Sequence, residues 1–128
     1  MGLAFLLVLL GLGCLFLAYR EQEPFQAIKV KGEALQKLVV QETGSQEADP
    51  MERTIDFAAL QRINPEIVGW LYVPQIGVDS PILTGQTDTE YLTKDFEGAY
   101  SPLGSIFTFA GARLSDSQVY LFAHNMAS

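Results

Sequence analysis

The chain holds one cysteine, Cys14, and one histidine, His124. These are the two side-chain types most readily used as nucleophile and as proton shuttle near neutral pH. Their surroundings differ. Cys14 lies inside a long apolar run, where its thiolate is disfavoured, so it reads as a small hydrophobe and not as a nucleophile. His124 directly follows the apolar segment QVYLFA (118–123). A loop-borne residue just past a strand can face a groove from a rigid edge. Taken without context, a lone histidine more often has a structural or surface role. A single cysteine forbids an internal disulfide, and no Cys/His spacing here resembles a zinc site.

Totals narrow the function further. In 128 residues there is room for one ordinary domain. The net charge is -7 and the eight Lys and Arg are scattered without a basic cluster, which argues against a phosphate-tracking nucleic-acid surface. The composition, 48% hydrophobic and 18% charged, is that of a globular protein, but much of the apolar content is crowded into the first nineteen residues.

Those residues, MGLAFLLVLLGLGCLFLAY, carry no charge before Arg20. Roughly seventeen apolar residues at ~1.5 Å each span ~26 Å as a helix, near a ~30 Å hydrocarbon core. A core helix would show a polar face, and this segment has none. A cleaved signal peptide calls for a shorter run and a small-x-small site, and Gly11-Leu12-Gly13 is too central to be one. The run is therefore expected to be an uncleaved transmembrane anchor over residues 1–19. Its charge flanks do not set the orientation: Arg20 follows the run, but Glu21 and Glu23 dilute it.

Residues 20–53 read as a stalk. Phe25, Ile28, Leu35, Leu38 and Val39 recur at partly helical spacing, predicting an amphipathic helix over 24–40 with Gly44 past its end. The acidic stretch SQEADPME (45–52) reads as linker. From Thr54 the texture changes. Asp56 is suited to N-cap a helix over 57–63, with Phe57, Leu60 and Ile63 on one face. Asn64-Pro65-Glu66 looks like a second helix start. After Gly69 the pattern shortens to strands at 70–73, 78–83, 105–109 and 118–123, with a turn at 74–77 and a short helix or ordered loop over 88–96. Trp70 reads as core. The class is mainly β with N-terminal helices, a barrel or sandwich. Four short strands do not close a barrel, and 119–122 would remain an apolar edge, so the domain over 54–128 is expected to be incomplete.

Several spaced elements carry a family resemblance. Asn-Pro-Glu-Ile-Val-Gly-Trp (64–70), Asp79-Ser80-Pro81-Ile82, Tyr91-Leu92, Gly104-Ser105-Ile106-Phe107 and Ala123-His124-Asn125-Met126 occur in the order found in class B sortases. Residues 56–126 resemble that family, and no single element is specific by itself. The family usually has Gly before the histidine, where this chain has Ala123. The resemblance implies a sortase-type β-barrel, here its N-terminal half, tethered to the membrane with the enzyme outside the cell.

It also implies a transpeptidase. A cysteine thiolate would attack a Thr carbonyl in the C-terminal sorting signal of a surface protein, and an amine from peptidoglycan precursor or a pilin would resolve the thioester. His124 carries over as the catalytic acid/base. Leu92 aligns with a position lining the sorting-signal groove, and Asp88 with a polar neighbour; packing and a solvated cap are equally open readings for these two. The family's cysteine and arginine lie beyond the histidine, and neither Cys14 nor Arg113 takes their place. The chain alone is thus expected to be inactive, and no cofactor or metal is called for. The alternative is a non-catalytic, membrane-anchored binding module or a decayed gene fragment.

Overall fold

A computed structural model describes residues 2–41 and 50–124, with side chains over 6–17, 26–40 and 51–124. The chain divides into two units, Met1–Glu33 and Ala34–Ser128. A single long helix, α1 (Gly2–Val39), supplies the first unit and enters the second. The amphipathic helix expected over 24–40 is thus the C-terminal continuation of the apolar helix and not a separate element. Gly44 and most of the expected linker lie outside the described residues.

In the first unit the apolar side chains are exposed all round the helix, from Leu6 at 53% to Leu17 at 62%. Among the described residues, however, no helix is long and apolar enough to cross a membrane. The transmembrane anchor expected over 1–19 therefore gains no support from the described residues.

The second unit begins with the last turns of α1, which bury Leu35 and Val39. Val40–Gln41 (β1) then pairs antiparallel with Thr54–Ile55 (β2). Helix α2 (Phe57–Ile63) starts as the sequence predicts, with the Asp56 Oδ1 accepting from Ala59 N at 2.9 Å. Its Leu60 is fully buried, but Phe57 is 40% exposed and does not share the core face. The second helix expected at Asn64 does not form. Asn64 Oδ1 accepts from Glu66 N at 2.9 Å, making a local Asx turn, and the chain enters a strand at once. The β-branched and aromatic side chains of IVGWLYV, paired across a sheet, outweigh the cap signal.

That strand is β3 (Ile67–Val73), and a 3-10 turn at Pro74–Ile76 closed by Gly77 leads to β4 (Val78–Thr84). Gly77 has φ 69°, a conformation glycine adopts without penalty. β3 and β4 are antiparallel, with a register shift between Ile67 and Gly69. β5 (Ile106–Thr108) lies parallel to β4, giving the order β3-β4-β5. A parallel neighbour cannot be reached by a hairpin, so residues 85–105 must travel from one end of the sheet back to the other. This crossover carries the candidate site.

The fourth strand expected over 118–123 reduces to a single bridge, Phe122 with Phe107. The two residues exchange both backbone bonds, at 3.0 and 2.8 Å. Because β5 is only three residues long, it offers its outer neighbour little to pair with. Tyr120, Leu121 and Phe122 remain exposed, while the rings of Phe107, Phe109 and Phe122 pack together. The core joins Leu35, Val39, Leu60, Ile67, Leu83, Tyr91 and Phe107. Trp70 packs at its margin, half-buried, with its indole N–H donating to Asp79 Oδ1 at 2.7 Å.

Candidate functional site

The crossover is held by its own backbone and by the buried end of Tyr91. A 3-10 turn at Glu90–Leu92 turns Tyr91 inward to 1% exposure and leaves Leu92 36% exposed beside it. A phenol that deep must find a partner. Tyr91 OH donates to Glu66 Oε2 and accepts from Asn64 Nδ2, the latter at 2.8 Å. Asn64 Nδ2 also donates to Phe96 O at 2.9 Å, so one amide ties α2's end to two points of the crossover. Burial, and then the Glu66 carboxylate, push the Tyr91 phenol up to about 12.

The turn is stapled from the other side by residues 101–105. Ser101 N donates to Thr93 O at 2.9 Å, Ser105 N to Tyr91 O at 3.0 Å, and Ser105 Oγ to Lys94 O at 2.8 Å. Within this staple Gly104 N closes a turn on Ser101 O at 3.1 Å, with Pro102 second and Gly104 fourth. Glu90 accepts from Gln86 N and pairs with Lys94 at 2.7 Å. The Lys94 ammonium holds the Glu90 carboxyl below the usual carboxylate range.

His124 stands just past the Phe122 bridge, exposed, with Nε2 at 2.8 Å from the Leu92 carbonyl oxygen. The structure thus brings His124 and Leu92 together, two residues that are thirty-two apart in sequence. Asp88 is engaged differently: its Oδ1 accepts from Ala110 N at 2.8 Å and fastens the turn after β5 to the crossover. It is an exposed anchor for that loop. Chemically the site offers one imidazole, accessible to solvent and held at Nε2 by a backbone carbonyl. Cys14 is exposed and lies in the other unit. Among the described residues no cluster of His, Cys, Asp and Glu is placed to hold a metal ion.

A cleft of about 210 Å³ lies elsewhere, lined by Met51, Arg53, Ile55, Phe57, Trp70 and Tyr72. None of His124, Leu92 and Asp88 lines it. Its one cation is turned inward: Arg53 makes a two-pronged pair with Asp79 at 2.8 and 2.9 Å, and its guanidinium sits 4.0 Å from the Tyr72 ring centroid. The Arg53 hydrogen bonds hold the Asp79 carboxyl below the usual range, against the opposing effect of burial, and Trp70 adds to the lowering. Arg53 and Trp70 of this cleft thus both turn to Asp79.

Three features of the site escape a reading of residue types. Glu66 accepts from Tyr91 and Gln86 instead of capping a helix. Asn64 spends its side chain on two elements far away in sequence. Gly104 closes a turn on Ser101, and the Ser-Pro-Leu-Gly spacing was the available signal for it.

No protein-family model matches the chain. It is similar to Sortase B of Staphylococcus aureus (strain NCTC 8325 / PS 47), 41% identical over 51 residues, which is 40% of this chain and 21% of that protein. Among solved structures, sortase B from B. anthracis in complex with AAEK1 matches with TM-score 0.64 and 25% identity, over 80% of this chain and 48% of that one. Staphylococcus aureus Sortase B matches with TM-score 0.53 and 32% identity, over 56% and 36%. A Streptococcus pyogenes class B sortase involved in pilus biogenesis matches with TM-score 0.52 and 35% identity, over 57% and 41%. The chain spans about a fifth of the curated relative's length and less than half of each structural relative's. Over its matched part, this is a sortase B-like segment.

Proposed function

We propose that this sortase B-like chain is the N-terminal part of a cysteine transpeptidase that attaches surface proteins to a cell-wall or pilin amine. The supporting observation is His124: an exposed imidazole, held by the Leu92 carbonyl at 2.8 Å, at the end of the ordered motif series. In this reading His124 protonates the amine that leaves the sorting-signal peptide and deprotonates the amine that replaces it. Exposed Leu92 contributes to the peptide groove, and Asp88 shapes its rim by fixing the loop at Ala110. The nucleophilic cysteine and the arginine come from the part of the enzyme beyond residue 128, so the chain alone does not form the thioester.

Residues 1–19 serve as a single-pass anchor in this proposal, with the domain from Thr54 onward outside a bacterial cell membrane. What favours this reading is the sequence of residues 1–19, an apolar run without a charge before Arg20. Translation of the coding DNA past codon 128 tests the enzyme reading. A Thr-Leu-x-x-Cys-like segment followed by an arginine is expected, and the continuous product should capture a sorting-signal peptide as a thioester. An authentic stop with neither residue would leave a binding module, and thioester capture by the 128-residue chain itself would overturn the division of labour.

A further inference from the structure

His124 Nε2 lies 2.8 Å from the Leu92 carbonyl oxygen. A carbonyl oxygen only accepts, so in this geometry Nε2 carries the proton and the neutral ring keeps its lone pair on Nδ1. The carbonyl is placed by a third residue. Gly104 has φ 60°, and a Cβ built on it would fall 2.5 Å from the Leu92 oxygen and 2.6 Å from the Tyr91 oxygen. Both distances are far inside van der Waals contact, and both neighbours are backbone. The bonds from Ser105 to Tyr91 O and Lys94 O hold the 91–94 backbone against Gly104 from either side.

We infer that Gly104 is a positioning residue for His124: lacking a Cβ, it lets the Leu92 carbonyl stand against the imidazole, which fixes the Nε2–H tautomer and leaves Nδ1 as the proton-accepting nitrogen. When Nδ1 takes up a proton, the Nε2–H stays on the carbonyl, which also faces the resulting imidazolium. A backbone group here does the orienting that a buried carboxylate does in other acyl-transfer sites, without adding a charge. The use of Nδ1 as base rests on the acid/base reading of His124. The tautomer and its dependence on Gly104 do not.

The chain's one histidine makes the test direct. Long-range proton–nitrogen NMR spectra of the 128-residue protein, at a pH where the ring is neutral, should show Nε2 fully protonated and Nδ1 as a bare lone-pair nitrogen. Gly104→Ala should shift both nitrogens toward the averaged pair of a free imidazole. Gly77→Ala supplies the control, because Gly77 has φ 69° and nothing within 4 Å of a built Cβ. It bears the same backbone strain away from Leu92 and should leave both nitrogens unmoved. An ester in place of the 92–93 peptide bond weakens the Leu92 carbonyl as acceptor and should move the nitrogens in the same direction as Gly104→Ala. That second variant serves if the alanine protein does not fold. Averaged nitrogens in the wild type, or an unmoved pair in the folded alanine variant or in the ester, would overturn the inference. Loss of the transpeptidase reading would leave these spectra as expected, so the two failures are distinguishable.

Discussion

Tyr91 and Leu92 are neighbours in one turn, and the chain treats them in opposite ways. Tyr91 is sealed in the core, with its hydroxyl bonded to Asn64 and Glu66. Leu92 opens to solvent and lends only its carbonyl to an exposed imidazole. A buried polar group has to be fully satisfied, and the network that satisfies Tyr91 makes the turn rigid. An exposed histidine needs no such network for stability. It needs a fixed neighbour, and the rigid turn supplies one. The difference shows how a single 3-10 turn can be scaffold on one face and open surface on the other.

Emptying the buried side should produce the largest effect. Tyr91→Ala removes a core ring and leaves Asn64 and Glu66 without their partner, so ~3–5 kcal/mol of unfolding free energy should be lost. Urea denaturation of the 128-residue chain checks this, and a loss under ~1 kcal/mol would mean that the network does not hold the turn.

A smaller effect should come from alkali, and its sign follows from Tyr91. The phenol is raised from 10.0 to about 12 in the folded state, so the folded chain keeps that proton where the unfolded chain releases it. The contribution is complete below pH 10 and is lost as pH rises through about 12. Comparison with Tyr91→Phe isolates it: the wild type should lose stability relative to the variant across that window. Parallel curves would show that the hydroxyl is not held as described.

The smallest stability effect should belong to the exposed side. His124→Ala should change unfolding free energy by less than ~0.5 kcal/mol, as for other surface substitutions. If the proposed transpeptidase reading holds, the same change in the longer protein should abolish thioester turnover. A large loss of stability would make the histidine structural and remove the contrast.

Legibility followed the range of the interactions. The cap at Asp56 and the turn around Gly77 involve groups within a few residues, and both were readable from local chemistry. The strands at 70–73, 78–83 and 105–109 announced themselves by composition. Asn64 misled because its side chain serves equally well in a helix cap and in an Asx turn, and the partner strand decided between them. The segment at 118–123 had the composition of a strand, but pairing depends on what the neighbour presents, and β5 presents three residues. In the candidate site, the ordered motifs singled out His124 and Leu92, while the meaning of Asp88 came from Ala110, twenty-two positions away.

The sequence by itself determined the apolar run at 1–19, the β-rich second unit and the single histidine, because periodicity, turn chemistry and residue type are local properties. Only the tertiary structure decided that the Leu92 carbonyl meets His124, that Gly104 makes room for it, and that Tyr91 locks the turn beneath both. The physical reason is the parallel pairing of β4 and β5. It obliges residues 85–105 to cross the sheet, and that crossing brings a turn, a glycine and a distant histidine to one place.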